Sequence, residues 1–113
     1  MSDLLDINEG LNFTDNDKDL YKELLQLFID ENNFDNNEFL SLIEQSKEKA
    51  STYIHRIKGA ASQTGAVLLT QKAQQLEDVL RNKLNLSLPL LINEFCDLYN
   101  KTLKEIKKVI STL

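Results

Sequence analysis

At 113 residues, 42% apolar and 27% charged, the chain reads as a single domain, residues 1–113, of ordinary globular make-up with one modest core. A net charge of −5 disfavours nucleic acid and anionic membranes as partners, since both are held by basic patches. Three glycines, one proline and one cysteine argue against a β-rich fold, an internal disulfide and any multi-cysteine metal site.

Residues 1–5 read as a loose start. Asp6 can cap a short helix over residues 7–11, with Glu9 in its first turn. No signal-peptide pattern opens at Met1, and no apolar run approaches the ~20 residues that span a bilayer. Phe13-Thr14-Asp15-Asn16-Asp17 is a helix-start cluster in which Thr14 or Asp15 can cap. Beyond it Leu20, Leu24, Leu27 and Phe28 recur at helical spacing, and the pattern resumes at Phe34, Phe39, Leu42 and Ile43. Between the two lies Asp30-Glu31-Asn32-Asn33, and asparagine is a mediocre helix former. No glycine or proline interrupts the stripe, which favours one helix over residues 15–45 against two with a break near Asn36.

Ser46 suits the N-cap of the next helix, and Gly65 can end it in a left-handed conformation. Residues 66–83 carry Leu69, Ala73, Leu76 and Leu80 on one face. Ser87 and Pro89 mark the last start. From there Leu88, Ile92, Phe95, Tyr99, Thr102, Ile106, Val109 and Leu113 alternate steps of four and three, a bundle stripe. Lys101, Lys104, Lys107 and Lys108 lie off that stripe. Cys96 reads as a helix-packing residue and suits a reducing compartment. The expected fold is all-α: an antiparallel up-down four-helix bundle with a short additional N-terminal helix. Its core is expected to be Leu20, Leu24, Phe28, Phe39, Leu42, Tyr53, Ile57, Ala61, Leu69, Ala73, Leu76, Leu80, Ile92, Phe95, Tyr99 and Ile106.

The stretch from Ile54 to Gly65 holds the only histidine and two of the three glycines. Wound at about 100° per residue, its helix divides into two sides. Glu48, Ser51, Thr52, His55, Lys58, Gly59 and Ser62 fall on a small, polar one. Ala50, Tyr53, Ile57, Ala60, Ala61 and Thr64 fall on the other. The imidazole is therefore expected to face solvent, with Lys58 one turn away. Gly59 stands where a side chain would flank the ring. A mid-helix glycine costs about 1 kcal/mol against alanine, and close approach by another surface accounts for it. A neutral imidazole is a competent nucleophile near neutral pH. Phosphoryl transfer asks mainly for in-line positioning and positive charge. No phosphate loop and no aspartate cluster with a metal-ligand pattern accompany the histidine, so the chain is not expected to phosphorylate itself from ATP.

His55, Lys58, Gly59, Ala60, Ala61 and Gly65 resemble the signature of histidine-containing phosphotransfer (HPt) domains, His-x-x-Lys-Gly followed by small residues and a later glycine. Residues 5–11 resemble the opening of such domains in hybrid sensor kinases, where a short first helix lies over the end of a bundle. Residues 19–28 and the pair Leu76-Glu77 are similar to later helices of the family. The resemblance implies that His55 accepts a phosphoryl group on Nε2 from a receiver-domain aspartate and passes it to another receiver aspartate. Lys58 would neutralise phosphoryl oxygens, and Gly59 would give the receiver access. Ser51, Thr52, Arg56, Ser62, Gln74 and Glu77 would form the receiver-binding surface, with Gln74 or Glu77 hydrogen-bonded to Nδ1. The implied partners are receiver domains of a hybrid kinase and of response regulators. No cofactor of the domain's own is implied, since magnesium belongs to the receiver. A monomeric cytoplasmic domain is expected, either free or as part of a membrane-anchored kinase. Two alternatives remain: the phosphoacceptor domain of a chemotaxis-type kinase, and a helical interaction module without chemistry.

Overall fold

The computed structural model describes residues 4–113, which form six helices with no strand among them. Asp6 caps α1 (Ile7–Phe13), its Oδ1 accepting from the Glu9 N–H at 3.1 Å. Of the expected loose start, residues 1–3 lie outside the described residues, and Leu5 is buried rather than loose. Its neighbour Asp6 donates its N–H to the Gly65 carbonyl at 2.8 Å, which ties the segment to the far end of α4.

The expected cap at Thr14 or Asp15 is instead Asp17, whose Oδ1 accepts from the Leu20 N–H at 3.1 Å to start α2 (Lys18–Glu31). The cause is a turn. Asp15 and Asn16 take left-handed conformations, φ 57° and 63°, which their short polar side chains tolerate. The buried face of α2 is also rotated from the expected one. Tyr21, Leu25 and Phe28 are buried, whereas Leu20 and Leu27 are exposed and Leu24 is half-buried. Both stripes have helical spacing. Tyr21 decides between them, because its ring fills the space beside Gly10 and its hydroxyl donates to the Thr64 carbonyl at 2.8 Å.

The single helix expected over residues 15–45 is two, α2 and α3 (Asn36–Gln45), separated at residues 32–35. The break is held by tyrosines from distant helices. Tyr99 donates its hydroxyl to the Asn32 carbonyl at 2.7 Å and accepts from the Phe34 N–H at 3.1 Å. Tyr53 accepts from the Asp35 N–H at 2.9 Å. Phe34 turns inward among the rings of Phe39, Tyr53, Phe95 and Tyr99, at centroid distances of 4.9 to 6.0 Å. Asp35 is the N-cap of α3. Its Oδ1 accepts from Asn37 and Glu38 N–H groups. Partners outside the helix thus satisfy the backbone groups that a continuous helix would have paired within itself.

Ser46 ends α3 and caps α4 (Lys47–Thr64), which Gly65 terminates at φ 86°. Only Gly65 and Ala66 separate α4 from α5 (Val67–Leu80). That helix is shorter than the expected 66–83, the chain leaving it by a turn with Asn82 at φ 60°. Ser87 caps α6 (Leu88–Thr112), with Pro89 in its first turn. Helix α4 is central: it packs on α1, α2, α3 and, most extensively, α5. Helix α6 packs on α5 and α2. The other expected core residues are buried, except Leu42, which is half-buried on the outer helix α3. Leu88 and Leu113, the ends of the α6 stripe, are half-buried and exposed.

Candidate functional site

The longest interface of the fold, α4 against α5, carries the histidine on its rim. Ile54 and Ile57 are fully buried on either side of it, which fixes the rotation of α4 and turns His55 outward. Its side chain is 61% exposed. Gly59 is exposed too, and a Cβ added to it would meet nothing within 4 Å. The open approach to the ring is a property of the surface and not only of the sequence.

Beneath the ring lies Glu77 of α5, with a side chain only 4% exposed. Nδ1 of His55 is 3.1 Å from Oε1 and 3.2 Å from Oε2. A carboxylate at neutral pH only accepts, so the ring's hydrogen is held on Nδ1. Nε2 then keeps its lone pair and is the nitrogen open to a reactant. Two cations complete the cluster. Lys58 Nζ stands 2.9 Å from Glu77 Oε1, and an Arg81 guanidinium nitrogen is 3.7 Å from Oε2. A buried carboxylate is costly unless paired and hydrogen-bonded, and Glu77 has partners on both oxygens.

The six expected surface residues separate. Thr52 and Arg56 are exposed on α4, Thr52 Oγ1 donating to the Glu48 carbonyl and Arg56 lying 5.5 Å from the Tyr53 ring centroid. Ser62 is exposed and lines a shallow groove with Glu9, Val67 and Gln71. Gln74 is exposed, accepts from Lys58 Nζ at 2.9 Å and donates to Asp78. Ser51 and Glu77 do not belong to an open surface, since they are 2% and 3% exposed. Ser51 lies under α5, where its Oγ accepts from Arg81 Nε at 2.7 Å. Of Gln74 and Glu77, the one bonded to Nδ1 is Glu77. Lys58 also departs from a freely solvated lysine: its side chain is 19% exposed. Two of its three N–H donors go to Glu77 and Gln74, leaving one for another acceptor.

Arg81 was not anticipated. Its only signal in the sequence is a position four residues after Glu77, which places opposite charges together on a helix. That spacing marks surface pairs everywhere. The partner that distinguishes this one is Ser51, thirty positions earlier in the chain. No group of three or more His, Cys, Asp or Glu side chains able to hold a metal ion occurs among the described residues, and no helix there is long and apolar enough to cross a membrane. A family model described as the Hpt domain matches residues 23–110. Neither a curated protein nor a solved structure matches the chain.

Proposed function

The chain belongs to the Hpt domain family, whose function is histidine phosphotransfer in phosphorelays, and on that premise we propose that His55 is the residue that carries the phosphoryl group. One observation carries the assignment. The only histidine of the chain is exposed, with Nδ1 tied to the buried Glu77 and Nε2 left to react.

The transfer follows from that tautomer. The Nε2 lone pair attacks the phosphorus of a receiver's aspartyl phosphate. The N–P bond forms as the P–O bond to the aspartate breaks, and the carboxylate leaves with the electron pair. The ring keeps its Nδ1 hydrogen and becomes cationic, and Glu77 faces the charge as it develops. Return transfer runs the same steps backwards onto a second aspartate, the N–P pair returning to Nε2. The free N–H of Lys58 meets a phosphoryl oxygen, and Gly59 leaves room for the receiver's loops. Thr52, Arg56, Ser62 and Gln74 form the surrounding docking surface. The magnesium such chemistry uses comes with the receiver. The partners are receiver domains of a hybrid kinase and of response regulators, met by a monomeric cytoplasmic domain. The closed ring of contacts α2–α4–α5–α6 supports reading these helices as an antiparallel four-helix bundle, with α1 across one end.

Incubation with a phosphorylated receiver domain tests the assignment. Wild-type protein gains acid-labile, base-stable phosphate, and His55→Gln gains none while folding normally, because the side chain lies outside the core. Phosphate retained on His55→Gln at wild-type level sinks the assignment. Labelling only by a kinase core with ATP, and not by a receiver, identifies a chemotaxis-type acceptor instead.

A further inference from the structure

Glu77 presents a conflict that the imidazole alone cannot resolve. A buried carboxylate against Nδ1 holds the reactive tautomer, but an unopposed carboxylate in that place would also favour a second proton on an imidazole. A doubly protonated imidazole has no lone pair at Nε2 and cannot attack phosphorus. The carboxylate must accept a hydrogen bond without drawing that proton.

Around Glu77 the charged partners are Lys58 from α4 and Arg81 beyond the end of α5, while Glu48 and Arg56 lie within two turns of His55 on α4 and Asp78 follows Glu77 on α5. Asp78 is occupied by Gln74. Two of the cations reach Glu77. Lys58 takes Oε1 from one side, and Arg81 approaches Oε2 from the other. Arg81 is also aimed: its Nε donates to the buried Ser51 hydroxyl, one turn before His55 on α4. That bond leaves the terminal nitrogens of the guanidinium at the carboxylate. A salt-bridging arginine four residues after a glutamate is ordinary, but one anchored by a buried hydroxyl of the histidine's own helix is not.

We propose that Arg81 is a positioning residue for phosphotransfer, which with Lys58 offsets the charge of Glu77 and so keeps His55 singly protonated, on Nδ1, at neutral pH. The proposal rests on the phosphotransfer reading of His55. Arg81 acts through Glu77. Without it the carboxylate faces the ring with one cation instead of two, and the ring holds a second proton to higher pH. The same excess charge stabilises the cationic phosphorylated ring, so onward transfer slows.

The test compares wild type, Arg81→Ala and Arg81→Lys in two measurements. NMR follows the imidazole of His55 across pH, and single-turnover phosphorylation by a phosphorylated receiver gives a pH–rate profile. Arg81 is half exposed, so Arg81→Ala is expected to fold. Its imidazole titration and the acid limb of its rate profile are both expected to move to higher pH. Arg81→Lys restores most of the shift because it keeps the charge. A titration in Arg81→Ala that superimposes on wild type overturns the proposal, and so does an Arg81→Lys curve shifted as far as the alanine one. The NMR titration needs no phosphotransfer. A wild-type protein that accepts no phosphate therefore overturns the phosphotransfer reading by itself, while the titration still decides whether Arg81 controls the ring.

Discussion

Gly59 lies four residues beyond His55 on the same strip, and the space above it is open. Two effects of replacing it therefore separate cleanly. Glycine is the poorer helix former, so Gly59→Gln is expected to raise stability by roughly 0.5 kcal/mol. No atom nearby offsets that gain by a clash. The same side chain would stand between the ring and any approaching domain. Transfer is expected to slow about tenfold, which corresponds to ~1.4 kcal/mol in the barrier. Chemical denaturation and single-turnover transfer measured on the same preparation give both quantities. Unchanged kinetics in a stabilised variant would show that the glycine is not there for access. Lys58 does not separate in this way. Its ammonium is engaged by Glu77 and Gln74, so its removal alters Glu77 as well as any bound phosphoryl group.

The short helix α1 is held by contacts that leave no room for a methyl group. A Cβ on Gly10 would overlap the Tyr21 ring and the Thr64 carbonyl, and one on Gly65 would overlap the Asp6 carbonyl. Gly65 also needs its left-handed φ of 86°, where a side chain is strained. Gly10 has no such requirement, so Gly10→Ala isolates the packing. It is expected to cost about 1–3 kcal/mol, the range for overpacking a filled site. A denaturation midpoint equal to wild type would mean that α1 is not seated against Tyr21. The loss is not expected to reach the chemistry at His55, which lies more than two turns of α4 from Thr64, so transfer per folded molecule should be unchanged.

At the scale of the whole molecule, three tyrosine hydroxyls join helices that are far apart in sequence. Burial raises all three above their ordinary 10.0, with Tyr21 pushed up to about 12 and Tyr53 and Tyr99 raised as well. A raised value means that the folded protein keeps these protons after the unfolded chain has released them. Stability therefore stands in full below about pH 10 and is lost as pH rises towards about 12, because the unfolded state binds fewer protons there. Melting temperatures from about pH 10 upwards should fall in wild type. They should fall less steeply in Tyr21→Phe, which starts lower for want of its bond to Thr64 but has no proton to lose at that site. Equal slopes for the two proteins would remove Tyr21 from the account.

The helical character of the chain, the caps at Asp6, Ser46 and Ser87, the left-handed stop at Gly65 and the exposure of His55 beside a bare Gly59 follow from local sequence. Each depends on residue type and on neighbours within a turn or two. The tertiary structure decided what local spacing leaves degenerate. Leu20, Leu24 and Leu27 make as good a helical stripe as Tyr21, Leu25 and Phe28, and only the pocket beside Gly10 and the Thr64 carbonyl selects the second. Nothing within residues 15–45 forces a break. The hydroxyls of Tyr53 and Tyr99 stabilise one, and they reach it from 18 and 65 or more positions away. The site follows the same rule. The family resemblance left Gln74 and Glu77 as alternatives for Nδ1, but the packing of α4 on α5 buried Glu77 under the ring and brought Arg81 to Ser51. A carboxylate's burial and the partners of its two oxygens depend on where two helices meet, and a one-dimensional pattern does not contain that meeting.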